Sequence, residues 1–162
     1  MNFDSTLAES IGFKAYLFNN ELPKFAVRSM LAGLFLTIIT AFAAVAATAV
    51  EAEAPGFGKF VFAAIFASAL YVMVVLGAEL ATGNMMFSTY GSVTKRLGWL
   101  NGFALVVVCT LFNLLGVLLT AYFITKSTAF EAVDPDNFLA GLTSVKLAKD
   151  PQHLFLEGIF AN

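Results

Sequence analysis

The stretch GAELATGN, residues 77–84, sets a carboxylate (Glu79), a hydroxyl (Thr82) and a carboxamide (Asn84) among two glycines, directly behind a long uncharged run. An ionisable side chain at membrane depth costs at least a few kcal/mol unless it is partnered. Two kinds of chemistry suit Glu79 there. As a structural group it caps a helix break by accepting hydrogen bonds from freed backbone amides; as a functional one it touches a permeating species. The structural reading has the stronger physical support. Gly77 and Gly83 supply backbone freedom for such a break, and Asn84 suits the start of a helix better than a ligand position.

Little else in the chain can do chemistry. Cys109 is a lone cysteine in an apolar run, so no internal disulfide forms. His153, the single histidine, lies in a polar segment and reads as a solvated imidazole. The spans hold no paired histidines for haem, no metal-ligand cluster and no acid/base constellation, which argues against a respiratory anchor subunit and against a membrane enzyme, and no cofactor is expected.

The elements that must position GAELATGN are membrane helices. Of 162 residues, 59% are apolar and only 12% charged, far from a soluble domain's near-quarter. Nine Lys and Arg against eleven Asp and Glu offer no basic face for nucleic acid, so the expected partner is the lipid bilayer. Charge-free runs over Ser29–Val50, Phe60–Ala78 and Leu97–Thr125 are each long enough to cross a bilayer, which takes about 20 helical residues. A straight helix from Phe60 to Thr94 would measure about 52 Å against a hydrocarbon core of about 30 Å. The second span must therefore break, near 77–84, and the uncharged Met85–Thr94 forms its second half. Such a break survives only where protein buries it or where it lines a watery cavity, and it points to a transport site.

Residues 1–24 read as an N-terminal segment with a short amphipathic helix. Thr6-x-x-Glu9 resembles a capping box, and Leu7, Ile11, Tyr16 and Leu17 would face the membrane surface. The segment lacks the pattern of a removable signal peptide. Pro23 suits the first turn of the next helix. Residues 25–125 form a three-span repeat, 126–152 a polar connector with a turn at Asp134–Asn137, and 153–162 the start of a fourth span, with Asp150-Pro151 as a helix start. Lys14, Lys24 and Arg28 before span one, and Lys95 with Arg96 before span three, place the N-terminus in the cytoplasm and the connector outside. Small residues in span one, Ala32, Gly33, Ala41, Ala44 and Ala47, suit close helix packing or a subunit interface.

VVLGAELATGN, residues 74–84, resembles the signature of the formate/nitrite transporter family. FNLLG (112–116) is similar to the family's third helix, and Lys146 with FLEGIFAN (155–162) to the segment leading into its fourth. GFKAYL and LPKFAVRSMLAGLF fit as well, so the resemblance covers essentially the whole chain. It implies an all-α, aquaporin-like bundle of two inverted three-helix repeats with the second and fifth helices broken, a pore in each protomer, a homopentamer and a bacterial inner-membrane location. It further implies passage of small monovalent anions such as formate or nitrite, linked to protons as in symport.

An anion forced through an apolar constriction loses hydration, so the pore must supply donors or let the anion take up a proton. By resemblance Thr82 is that donor, in the loop at the break, paired with a histidine of helix five. Leu80 forms the cytoplasmic constriction, and Phe66 with Leu70, one turn apart, the periplasmic one. Lys146 stands near the outer vestibule, where its field draws anions inward, and Asn162 hydrogen-bonds near the pore. Phe66 and Leu70 also read simply as core or lipid-facing residues, and Lys146 as a solvated loop residue. Ala81 departs from the family's bulkier residue and would widen the constriction beside Thr82. With helices five and six absent from these 162 residues, the expectation is a partial sequence of a longer transporter. The alternatives are a non-conducting truncated scaffold and an aquaporin-like channel for neutral solutes, although the latter usually carries Asn-Pro-Ala at the break.

Overall fold

The computed structural model describes residues 3–127 and 138–161. Among them the secondary structure is helical: α1 (Phe3–Asn20), α2 (Leu22–Glu53), α3 (Gly58–Val75), α4 (Ala81–Val93), α5 (Trp99–Lys126), α6 (Phe138–Leu147) and α7 (Pro151–Ala161). Three of these, α2, α3 and α5, are long and apolar enough to cross a membrane. Only 28%, 17% and 22% of their most apolar windows are buried, so most of that surface needs lipid or further protein around it. The chain is an all-α membrane protein.

The helices follow the expected runs with shifted ends: α2 outruns its run on both sides, α3 starts earlier but stops at Val75, short of Ala78, and α5 starts at Trp99, after Leu97. Pro23 is the second residue of α2, where its missing N–H is of no consequence. α2 extends to Glu53, whose neighbour Glu51 accepts the amides of Gly56 (2.8 Å) and Gly58 (2.8 Å) and so closes the turn into α3. The polar connector contains a helix, α6, that composition does not announce. α7 starts at Pro151. The turn expected at 134–137 and the pore residue expected at 162 lie outside the described residues.

The chain divides into two compact units. The first comprises Met1–Thr37 and Leu70–Phe123 and holds the helix break. Its core gathers Leu17 of α1, Phe25 of α2, Ala81 of α4, and Leu105 and Cys109 of α5. α2 and α5 cross backbone to backbone: a Cβ on Gly33 would collide with the Asn113 carbonyl, and one on Gly116 with the Met30 carbonyl. Ala32 and Gly33 thus serve internal packing. α1 corrects the expectation of a surface helix starting near Thr6. It begins at Phe3, packs on α4, and buries Ile11 and Leu17 within the protein; Tyr16 alone of the four apolar residues is exposed. The second unit comprises Ile38–Ala69 and Ile124–Asn162. There Ala43, Ala44 and Ala47 are buried, Ala41 is half-buried, the Phe138 amide donates to Thr48 Oγ1 at 3.2 Å, and Phe62 and Phe138 pack 5.5 Å apart.

Candidate functional site

The second span breaks between Val75 and Ala81, earlier and more sharply than 77–84. Gly77 ends α3 at φ +64°, the left-handed region that glycine occupies without strain. Its amide donates to the Val74 carbonyl (3.2 Å) and that of Ala78 to the Met73 carbonyl (2.9 Å), the paired bonds of a Schellman C-cap. A Cβ on Gly77 would lie 2.6 Å from the Arg28 guanidinium, the movable end of a flexible side chain, so it is the positive φ that asks for glycine. The second half-helix ends the same way, with Lys95 at φ 58° and the Arg96 amide donating to the Gly91 carbonyl at 2.8 Å.

α4 restarts at Ala81 rather than after Gly83-Asn84. The physical reason is a tertiary acceptor: Asn113 Oδ1 takes the Ala81 amide at 2.9 Å, satisfying a first-turn donor that has no partner within its helix. Leu80 is the N-cap, with extended backbone and no side-chain cap. Thr82 consequently lies in the first turn of α4 and not in a loop. Its side chain is exposed and has no hydrogen-bond partner among the described residues. Asn84 is not a helix-start residue; it is fully buried in α4 and its Nδ2 donates to Cys109 Sγ at 3.3 Å.

Glu79 is 2% exposed, and its carboxylate pairs with side chains instead of capping amides. Lys14 of α1 donates to Oε2 at 2.5 Å, and an Arg28 terminal nitrogen of α2 lies 3.9 Å from Oε1. Lys14 also sits 5.0 Å from the Phe87 ring centroid, and Arg28 5.3 Å from that of Phe13, so both cations are held from two sides. The backbone of Glu79 is held as well. Its amide donates to the Arg28 carbonyl (3.1 Å), and its carbonyl accepts from Asn113 Nδ2 (2.9 Å) and Cys109 Sγ (3.3 Å). Two cations against one carboxylate leave this break with a formal excess of positive charge.

The remaining expected residues scatter. Leu80 is half-buried. Ala81 is 9% exposed and packs in the core with Leu17, Phe25, Leu105 and Cys109, so its small side chain accommodates the core and does not line a space beside Thr82. Phe66 is half-buried and stacks on Phe62 at 5.8 Å, while Leu70 is exposed. Lys146 is exposed on α6, and His153 is exposed beside Asp150 at 3.9 Å. Lys14, Arg28, Cys109 and Asn113 are the residues that reasoning from sequence missed. The signal was present in part: a buried acid demands a cation, and an amide in the middle of an apolar span demands a partner. Among the described residues no group of side chains is arranged to hold a metal ion.

A family model described as formate/nitrite transporter matches residues 8–162. The chain belongs to that family. A curated relative, "Uncharacterized transporter YwcJ" of Bacillus subtilis (strain 168), is 28% identical over 150 residues, covering 92% of this chain and 58% of the relative. A second, "Probable formate transporter" of Methanothermobacter thermautotrophicus, is 32% identical over 130 residues, covering 79% of this chain and 47% of the relative. The chain spans about half the length of these relatives. No solved structure matches.

Proposed function

We propose that the protein transports small monovalent anions, formate, nitrite or a related monocarboxylate, across a bacterial inner membrane in step with protons. The observation that carries this reading is the family match over residues 8–162. The helix break in the second span agrees with it, since irregular backbone at membrane depth belongs where protein buries it or where it lines a pathway. In this reading residues 25–125 form the first of two inverted three-helix repeats of an aquaporin-like bundle, with residues 1–24 in the cytoplasm, 126–152 outside and 153–162 opening the fourth span. Each protomer of a homopentamer contains a pore.

Thr82 offers its hydroxyl to the anion, supported by its exposure and by the lack of a competing partner among the described residues. Leu80 beside it forms the inner constriction, Phe66 and Leu70 the outer one, and Lys146 and Asn162 flank the outer approach. Gly77, Glu79, Gly83 and Asn84 serve the break itself. The positive excess at Lys14, Arg28 and Glu79 favours anions near it. Two buried polar atoms, Arg28 Nε and Asn84 Oδ1, have no partner among the described residues, a cost that ordinary packing avoids.

Purified full-length protein in vesicles tests the function. Addition of formate outside should acidify the lumen of loaded vesicles over that of empty ones. Osmotic swelling with uncharged solutes, without a formate-dependent pH change, would favour a neutral-solute channel, and neither response would favour a scaffold.

A further inference from the structure

We infer that Asn113 of α5 is a positioning residue for transport, setting where the first turn of α4, and with it Thr82, stands. Its transport consequence rests on the reading of Thr82 as the pathway donor; its structural part does not.

The carboxamide meets three backbone groups. Nδ2 donates to the carbonyls of Ser29 (2.7 Å) and Glu79 (2.9 Å), and Oδ1 accepts the amide of Ala81 (2.9 Å). A carboxamide has two N–H donors and one carbonyl acceptor, which is the complement these groups require. The reversed amide would set its oxygen against two carbonyls. Aspartate would do the same, leucine would satisfy none of the three, and serine is too short and has a single donor.

The bonds bracket the pathway residue. Those to Glu79 and Ala81 lie on its N-terminal side. On its C-terminal side Asn84 donates to Cys109 Sγ (3.3 Å), and Cys109, one turn before Asn113 on α5, donates to the Glu79 carbonyl. α5 therefore grips α4 and the break at positions 79, 81 and 84. The grip is referenced to a fixed frame, because the bond to Ser29 and the contacts at Gly33 and Gly116 bring the α5 and α2 backbones together with no room to slip. Without Asn113 the Ala81 amide loses its acceptor, the Glu79 carbonyl keeps only the Cys109 thiol and the Ser29 carbonyl loses its tie to α5, so the first turn of α4 must fray or rotate.

The test uses full-length protein in membranes. A Thr82→Cys variant is labelled with a small maleimide, and the label is quantified by mass on the peptide carrying position 82, with native Asn113, with Asn113→Leu and with Asn113→Asp. Cleavage at Lys95 and Arg96 puts Cys109 on a different tryptic peptide, so it adds no signal to that carrying position 82. Positioning predicts that Asn113→Leu changes the labelling rate by at least about threefold, and Asn113→Asp, which keeps the acceptor for Ala81, by less. If Asn113→Leu fails to insert, Asn113→Ala, which removes the same three bonds in a smaller volume, carries the same comparison. Unchanged labelling in inserted protein overturns the inference.

A second readout follows formate and lactate uptake in the same Asn113 variants with Thr82 intact. Positioning predicts about a tenfold fall in formate uptake per folded molecule, with an altered KM and an altered formate-to-lactate ratio. A role in folding alone lowers the amount of protein and leaves KM and the ratio unmoved. Altered labelling with unaltered KM and ratio would leave the positioning standing and remove Thr82 from the pathway.

Discussion

Lys14 and Asp4 both stand on α1, and each reaches across to an opposite charge on or just after the broken second span. Lys14 meets Glu79 inside the protein, where the carboxylate is 2% exposed and Arg28 closes the other side. Asp4 meets Arg96 at the surface in a two-pronged pair, Oδ1 to Nη1 at 3.0 Å and Oδ2 to Nη2 at 2.8 Å, with the Tyr90 hydroxyl donating to Oδ1 at 2.6 Å. Hydrogen bonds from Arg96 and Tyr90 hold the Asp4 carboxyl down to about 2 from an ordinary 3.8. By count of bonds the surface cluster looks the stronger.

Burial reverses the order. Water solvates Asp4 and Arg96 nearly as well apart as together, and salt screens them, so exposed pairs contribute little. Glu79 has no such alternative: remove its partner and a charge is stranded where water does not reach. The inner cluster is thus a condition for folding the break, whereas the outer one fastens the N-terminal end of α1 reversibly.

The largest expected effect follows from breaking the inner cluster on its acidic side. Glu79→Ala strands Lys14 and Arg28 and should lower stability by about 3–5 kcal/mol, read as a loss of monodisperse protein after membrane extraction. Its effect on anion preference should be smaller than its effect on yield; a stable variant with altered preference would make Glu79 part of the pathway. Lys14→Met should cost less, about 2–3 kcal/mol, because Arg28 remains beside the carboxylate. Adding Glu79→Gln to Lys14→Met should recover part of that loss, and no recovery would deny that the two charges are coupled.

Asp4→Asn should act least. It should speed proteolysis of the N-terminal end of α1 at low salt, and the difference from wild type should vanish at 1 M salt. Since the carboxyl titrates lower in the folded state, its contribution is fully present above about pH 4 and is lost as pH falls through 2. The latch therefore does not respond near neutrality. Equal or greater loss from Asp4→Asn than from Lys14→Met would undo the comparison.

Local signals in the sequence carried the spans and the fact of a break. Charge-free runs mark α2, α3 and α5, and the length from Phe60 to Thr94 exceeds a bilayer, so interruption was unavoidable. Gly77 was legible for its backbone freedom. What ended the break was not local: α4 restarts at Ala81 because an amide 32 residues further on accepts its N–H. Likewise Lys14 lies 65 residues from Glu79, and in sequence it reads only as a marker of orientation. Asn84 looked like a helix start because its type favours that position, yet burial against Cys109 overrode the propensity. α1 carries too mixed a pattern to reveal that Ile11 and Leu17 bury against protein instead of lipid.

The proposed role of the break is to present Thr82 to a passing anion. Thr82→Val keeps the shape and removes the donor, and formate uptake by full-length protein in vesicles reads the result directly. At equal amounts of inserted, monodisperse protein, uptake should fall about tenfold or more, in line with the loss of one pathway hydrogen bond to a charged group. Uptake equal to wild type would contradict the claim and leave the break a structural feature without Thr82 in the pathway.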